Sequence, residues 1–283
     1  MESEIVEGIT SRAIRRHYDL ATPFYRLLWG PHIHHGLWDG EESPKQAQRN
    51  LTEQLAAKAG VESGDSVLDV GCGMGGSSIY LARRFGCQVH GLTLSSVQRW
   101  WATLSARLQG VRSQVRFERR DAEQADFASE IFDVIWSIEC TEHLFNKAAF
   151  FQRAGKWLKP GGRVAICAWL AADHPHSHAV ARDVRVVCEK FLCPSLGSTA
   201  EYTRWLEDAG LSMVACHDWT HRVVRTWEIC ARRIERTGIR RLAGLVGRDM
   251  AEFTNHFDTI RRAFVNGAMK YGCFVARKPH HAG

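Results

Sequence analysis

The stretch Val67-Leu-Asp-Val-Gly-Cys-Gly-Met-Gly-Gly76 joins a short apolar run to a cluster of glycines. Residues 67–70 predict a buried strand, and residues 77–84 predict a helix. A strand, a glycine turn and a helix N-terminus together form a pocket for a nucleotide-like ligand. A side chain at Gly71 or Gly73 would block the approach of such a ligand to the backbone. An ordinary strand-to-helix turn is the alternative interpretation.

The chain beyond this stretch alternates between predicted strands and helices. The first five strands are predicted at 66–71, 87–92, 114–119, 132–137 and 162–169. Helices are predicted between them at 76–84, 95–108 and 146–157. Two final strands are predicted at 211–218 and 269–277. The pattern predicts an α/β, Rossmann-like fold with a seven-stranded, mostly parallel sheet and helices on both faces.

A length of 283 residues suits one domain, 1–283, in four parts. Residues 1–60 form an N-terminal segment with a helix at Glu4–Arg16 and another from Pro44, capped by Ser43 and ended by Gly60. The other parts are the ligand-binding core at 61–170, a helical lid with the sixth strand at 171–265, and the last strand and tail at 266–283. The lid helices are predicted at 175–194 and 222–265, with plain surface helices as the alternative.

Composition narrows the class of protein. The net charge is +6, and no block of Lys and Arg resembles a nucleic-acid arm, so we expect no nucleic-acid partner. The N-terminus carries no apolar signal region, and no apolar run approaches the ~18 residues that span a bilayer. Nine scattered cysteines without a Cys-x-x-Cys pair predict reduced thiols in a cytoplasmic enzyme.

The second predicted strand bears on the kind of nucleotide. A dinucleotide site places an acidic residue about 20 positions after its glycines, where it binds a ribose hydroxyl. Here residues 88–92 run into Thr93-Leu-Ser-Ser-Val-Gln98, and no carboxylate ends the strand. The sequence therefore argues against an NAD-dependent oxidoreductase.

Ligands of open α/β sheets bind outside the carboxyl ends of the strands. That rule selects four turns, which should face one crevice. They are residues 71–76, 93–98, 121–123 and 137–143.

The glycine turn, with Asp69 two residues before it, resembles motif I of the class I S-adenosylmethionine-dependent methyltransferases. The stretch Gly91-Leu-Thr-Leu-Ser-Ser-Val-Gln98 is similar to the branch that holds tocopherol, sterol and cyclopropane-fatty-acid enzymes. The resemblance implies S-adenosyl-L-methionine as the cofactor. It implies that Asp69, Gly71 and Gly73 hold the methionine portion. The other cofactor-binding residues that it implies are Thr93, Leu94 and Gln98 around the ribose, Asp121 and Ala122 around the adenine, and Ser137.

The N-terminal segment carries the second part of the resemblance. Residues 18–36 contain the pattern Tyr-Asp, Phe-Tyr, Trp-Gly and His-His-Gly, which is similar to the segment that folds over the cofactor in this branch. The resemblance implies that Tyr18, His35, Gly36 and Trp38 cover the sulfonium and exclude water. Aromatic faces near a sulfonium also add cation–π attraction. His32, His34 and His35 lack an obvious cysteine or carboxylate partner, so we expect no metal.

The turn after the fourth strand carries the candidate catalytic residues Glu139, Glu142 and His143. Its motif Ser-Ile-Glu-x-x-Glu-His is similar to that of tocopherol methyltransferases. Methyl transfer is an in-line displacement on a sulfonium, and positioning with electrostatics supplies most of its acceleration. A base is needed only if the acceptor loses a proton, and His143 is the best-placed candidate. A structural hydrogen-bonding role is the alternative for His143 and for Glu142.

The predicted function is S-adenosylmethionine-dependent methylation of a small, lipophilic or aromatic acceptor, at carbon, oxygen or nitrogen. A transient contact with a membrane surface is an option for a lipophilic acceptor, and the oligomeric state stays open. One alternative is a cyclopropane-type lipid synthase with bicarbonate near Glu142, although Gly36 stands where those enzymes carry a cysteine. A non-catalytic cofactor-binding regulator is the other.

Overall fold

The computed structural model describes residues 5–173, 178–237 and 255–280. Seven strands form one sheet in the order β3-β2-β1-β4-β5-β7-β6. The strands are β1 Ser66–Val70, β2 Gln88–Thr93, β3 Val115–Arg119, β4 Phe132–Ile138, β5 Leu158–Ala171, β6 Ser212–Asp218 and β7 Met269–Arg277. Strands β1 to β5 pair in parallel, whereas β7 runs antiparallel to both of its neighbours. The predicted Rossmann-like α/β fold is confirmed.

Helices cover both faces of the sheet, because alternate strand residues point to opposite faces. Val67 and Trp136 belong to one core and Leu68 and Ile135 to the other. The helices in chain order are α1 Ser11–Leu28, α2 Pro44–Ala59, α3 Gly76–Phe85, α4 Ser96–Leu108, α5 Lys147–Trp157, α6 His178–Lys190, α7 Thr199–Asp208, α8 Thr220–Val223, α9 Arg225–Thr237 and α10 Phe257–Val265. A short 3₁₀ turn spans Thr141–His143.

Helix α1 corrects the prediction of a helix at Glu4–Arg16. It begins at Ser11, because the side chain of Thr10 accepts the N–H of Ala13, and it continues through Pro23 to Leu28. Its buried stripe includes Ile14, Ala21 and Tyr25. The aromatic-rich stretch is therefore helical, and it packs against α4.

Helices α2 and α7 and strand β5 differ in how well their limits were predicted. Helix α2 is confirmed, with Ser43 accepting the N–H of Gln46 and Gly60 in the left-handed conformation. Helix α7 was not predicted, although Ser198 and Glu201 form a capping box. Strand β5 begins four residues earlier than predicted, because Leu158 already pairs with Phe132 ahead of a register shift at the predicted turn.

The helices predicted for the lid correspond to α6 and to α8, α9 and α10. Residues 174–177, where the first predicted lid helix begins, and residues 238–254, in the second predicted lid helix, lie outside the described residues. Within the described part of the chain, no helix combines the length and apolar character needed to cross a membrane.

Candidate active site

The glycine turn between β1 and α3 leaves a groove beside the backbone. Gly71 and Gly73 have positive φ angles of 79° and 52°. A Cβ on Gly71 would meet the side chain of Cys140 at 2.3 Å, whereas a Cβ on Gly73 would meet only Ile33 Cδ1, at 3.9 Å. The space beside Gly73 fits the close approach of a ligand to a helix N-terminus.

Asp69 holds the glycine turn in place through a hydrogen bond to α3. The Ser78 hydroxyl, in the first turn of α3, donates to Asp69 Oδ2 at 2.5 Å. Burial raises the pKa of Asp69 to about 7, against the opposing effect of the Ser78 hydrogen bond. Asp69 therefore fixes the end of β1 to the start of α3.

The turn after β2 is also internally bonded. The Thr93 hydroxyl donates to Gln98 Oε1 at 2.8 Å, and both residues are buried, while Leu94 is half-buried. Ser95 caps α4 and donates to Asp19 Oδ1 of α1 at 2.6 Å. The second turn is thus held against the N-terminal helix.

The third and fourth turns lie at the same edge of the sheet, since β3, β2, β1 and β4 are adjacent and parallel. Asp121 accepts the backbone N–H of Glu123 at 2.9 Å, and Ala122 is buried. The Ser137 hydroxyl donates to the Val70 carbonyl at 3.0 Å, so this hydroxyl joins β4 to β1. All four predicted turns therefore lie at one edge of the sheet.

A cavity lies beside the fourth turn. Its walls come from α1, the segment after α1, the ends of β4 and β5, and α9. Its aromatic lining consists of Tyr18, Tyr25, Trp29, Trp169, Phe191 and Trp227. Its ionisable polar lining comprises His34, His35, Glu139, Glu142 and His143. The three predicted catalytic residues and two predicted covering residues, Tyr18 and His35, are brought together here.

Both ring nitrogens of His143 are occupied. Nδ1 lies 2.9 Å from the Leu192 carbonyl, which can only accept, so Nδ1 carries the proton. Nε2 then accepts from the Tyr18 hydroxyl at 2.7 Å. Burial lowers the pKa of His143 to about 4. His143 is therefore a neutral imidazole whose lone pair is engaged by Tyr18.

Glu139 is an ionised carboxylate inside the protein. Its Oε1 accepts from the backbone N–H of His35 at 2.8 Å, from His35 Nδ1 at 2.9 Å and from the Tyr271 hydroxyl at 2.7 Å. Burial alone would raise the pKa of Glu139, but the field and hydrogen bond of His35, with His34 and Tyr271, hold it below its usual value.

Glu142 differs from Glu139 in that its pKa is raised. Its Oε1 accepts the backbone N–H of Trp169 at 2.5 Å, while Oε2 is buried without a partner among the described residues. Burial raises the pKa of Glu142 to about 8, although the hydrogen bond from Trp169 opposes this. Near neutral pH the cavity therefore holds one ionised and one mainly protonated carboxyl group.

Gly36 and Trp38 fasten the segment after α1 to its neighbours. The Gly36 N–H and the Trp38 indole both donate to the Thr226 hydroxyl of α9, at 3.0 and 3.2 Å. A Cβ on Gly36 would meet Ala47 Cβ of α2 at 2.6 Å. The packing against α2 requires glycine at this position.

Sequence reasoning missed Trp169 and Tyr271 as residues of the site. Trp169 lies near the end of β5, and its neighbourhood could have been selected by the rule that ligands bind at carboxyl ends of strands. Tyr271 lies on the antiparallel β7, where that rule gives no signal.

The pattern of the mycolic acid cyclopropane synthetase family matches residues 8–272. The chain is 29% identical to the chloroplastic tocopherol O-methyltransferase of Arabidopsis thaliana, over 95% of this chain and 82% of that protein. It is 31% identical to the 27-O-demethylrifamycin SV methyltransferase of Amycolatopsis mediterranei (strain S699), over 95% and 98%. Its fold is similar to that of the cyclopropane synthase MmaA2 of Mycobacterium tuberculosis, with a TM-score of 0.85, 21% identity, and coverage of 96% and 100%.

Proposed function

The chain belongs to the mycolic acid cyclopropane synthetase family and is an S-adenosylmethionine-dependent methyltransferase, and we propose that it methylates a hydroxyl oxygen of a small lipophilic or aromatic acceptor. The observation that carries the proposal is the aromatic cavity beside the glycine turn. The relatives named for methylation of tocopherol oxygen and of a rifamycin 27-oxygen support the choice of oxygen.

The residues of the crevice fit S-adenosylmethionine, which supplies a methyl group on a positively charged sulfur. The space beside Gly73 lets the cofactor approach the protein backbone, whereas a side chain at this position would occupy that space. We assign the methionine portion to Asp69, Gly71 and Gly73, with Asp69 acting through the shape of the turn. We assign the remaining contacts to Thr93, Leu94 and Gln98 at the ribose, to Asp121 and Ala122 at the adenine, and to Ser137 as a support of the turn.

The acceptor cavity adjoins the glycine turn. Ile33 lines the cavity, and its Cδ1 is the atom nearest to the position that a Cβ on Gly73 would take. Cys140, which blocks a side chain on Gly71, directly follows the cavity residue Glu139. An acceptor in the cavity can therefore lie next to the methyl group, and positioning of this kind supplies much of the acceleration in group transfer.

Methylation of a hydroxyl also needs a group that receives the proton. His143 is the candidate predicted from the sequence, but Tyr18 donates to its lone pair. Because that lone pair is engaged, His143 is not free to take the proton of the acceptor while the Tyr18 hydrogen bond is in place.

We propose that the protein works in the cytoplasm and takes a lipophilic acceptor from a membrane surface. All nine cysteines are free thiols, which supports a reducing compartment. Leu20 and Leu27 of α1 and Trp100 of α4 are exposed apolar side chains on two helices that pack together. Exposed apolar side chains of this kind can touch lipid headgroups.

The test is incubation with methyl-labelled S-adenosylmethionine and a panel of prenylated phenols, hydroquinones, sterols and macrolactones. The expected product is a labelled methyl ether, identified by mass spectrometry and NMR. The matched control is the same panel with each hydroxyl already methylated, which should accept no label. A label on carbon with the hydroxyl intact, or no label in any compound, would contradict the proposal.

A further inference from the structure

Three rings at the cavity each carry a buried nitrogen without a hydrogen-bond partner among the described residues. They are His35 Nε2, Trp169 Nε1 and Trp227 Nε1. The ring centroids of His35 lie 5.8 Å from Trp169 and 5.2 Å from Trp227, and the two indoles are 5.9 Å apart. The three nitrogens therefore belong to one cluster of mutually contacting rings. Buried polar atoms are rarely left without a partner, and a ligand atom among these rings would supply one.

The hydrogen bonds of His35 define whether each of its two ring nitrogens donates or accepts. Glu139 is ionised and can only accept, so the proton of His35 is on Nδ1, which donates to Glu139 Oε1. A base must be neutral before it takes a proton, and in a neutral ring with the proton on Nδ1 the other nitrogen, Nε2, is the acceptor. The two indole nitrogens are donors only. The cluster offers one acceptor and two donors.

A hydroxyl group has one proton to donate and two lone pairs that accept. A hydroxyl can therefore pair with all three nitrogens at once, by donating to His35 Nε2 and accepting from both indole N–H groups. A carbonyl would leave His35 Nε2 unpaired, and an ammonium group would leave both indoles unpaired. On the basis of the proposed function, we infer that the hydroxyl of the acceptor binds among Trp169, Trp227 and His35, and that His35 Nε2 is the base that removes its proton.

Glu139 and Tyr271 position this base. The carboxylate of Glu139 holds Nδ1 and the backbone N–H of the same histidine, and the Tyr271 hydroxyl fixes the carboxylate. A base oriented by a buried carboxylate is the arrangement that other enzymes use to activate hydroxyl groups. His143 lacks it, because both of its nitrogens are engaged.

The step balances without a further reactant. The O–H bond breaks as the proton moves to Nε2, and an oxygen electron pair forms the bond to the methyl carbon. The electron pair of the carbon–sulfur bond returns to sulfur, which becomes neutral. The imidazolium that remains beside Glu139 releases its proton to solvent after the product leaves.

The experiment uses 4-nitrophenol as the probe and the full chain saturated with S-adenosylhomocysteine. Binding is measured by calorimetry, and ionisation of the bound probe by the visible band of the nitrophenolate anion, at a pH below the solution pKa of the probe. We expect the wild type to bind the probe as the anion. His35→Gln should bind it without the band, Glu139→Gln should weaken the band, and His143→Gln should keep it.

The donors are tested separately with variants that preserve a large aromatic ring. Trp169→Phe and Trp227→Phe should each weaken probe binding about three- to tenfold, the value of one hydrogen bond. Trp136→Phe is the matched control, because its indole nitrogen is also buried without a partner in the described part of the chain but lies outside the cavity lining. Its probe affinity should not change. Affinity for S-adenosylhomocysteine shows in each case that the fold is retained.

The outcomes separate this inference from the proposed function. A probe that binds the wild type without ionising, or a band lost in His143→Gln and kept in His35→Gln, would overturn the assignment of His35. Unchanged affinity in both Trp→Phe variants of the cavity would overturn the hydroxyl site. A wild type that does not bind the probe at all would instead contradict the aromatic acceptor of the proposed function, and the inference that rests on it.

Discussion

Gly73 is the single residue at which the cofactor groove is most directly tested. Its φ of 52° and the open space beside it favour glycine, and a valine would place two methyl groups in the groove. We expect Gly73→Val to abolish binding of S-adenosylhomocysteine in calorimetry. Gly110→Val is the control, because Gly110 has a φ of 75° and nothing within 4 Å of a Cβ. Equal loss of affinity in both variants would show that backbone strain, and not the groove, is responsible.

The roles of single residues are less predictable from sequence than their positions. Glu139, Glu142 and His143 were expected at the end of β4, and they lie there because four parallel strands bring their carboxyl ends to one edge. Their chemical states depend on partners far away in the chain, such as Tyr18 for His143 and His35 for Glu139. Two carboxyl groups three residues apart therefore differ in protonation, which no local motif reveals.

The carboxylate of Asp19 joins α1, and with it the segment after α1, to the N-terminus of α4. Asp19 Oδ1 accepts from the Ser95 hydroxyl at 2.6 Å and from the Val97 N–H at 3.3 Å, at the N-terminus of α4. A negative charge is favourable there, because the first N–H groups of a helix lack partners. The segment can open only if this contact and those of Thr226 break.

We expect hydrogen exchange in residues 18–38 to slow when the protein is saturated with S-adenosylhomocysteine, because the segment would close over the ligand. Asp19→Ala should speed exchange in α1 of the ligand-free protein. Helix α5 is the internal control, since it lies on the opposite face of the sheet. Exchange in 18–38 that does not respond to the ligand would contradict a covering role.

Strands were easier to predict than helices in this chain. Each buried strand is an apolar run bounded by turn residues, so most predicted limits agree with the structure to within one or two residues. Helix α1 was misplaced, because Pro23 and the aromatic residues around it resemble a loop, while the stripe of Ile14, Ala21 and Tyr25 is helical. The tolerance of Pro23 comes from tertiary packing, which local propensity does not contain.

The molecule buries a few ionisable groups, among them Glu142, and this makes its stability depend on pH. Burial of Glu142 raises its pKa from 4.5 to about 8. The folded state therefore keeps a proton that the unfolded chain releases. Stability from the neutral carboxyl is complete below about pH 4.5 and is lost as the pH rises through about 8.

Glu142→Gln keeps an oxygen for the Trp169 N–H and removes the charge. Between about pH 5 and pH 8, the free energy of unfolding of the ligand-free wild type should fall relative to the variant, by up to about 1.4 kcal/mol per pH unit. Urea unfolding across this range measures the difference. Glu207→Gln, at an exposed position on α7, is the control for loss of a surface carboxylate. If the curves of the wild type and Glu142→Gln stay parallel, Glu142 is ionised in the folded protein throughout, and its buried oxygen must then be balanced by a cation or by solvent.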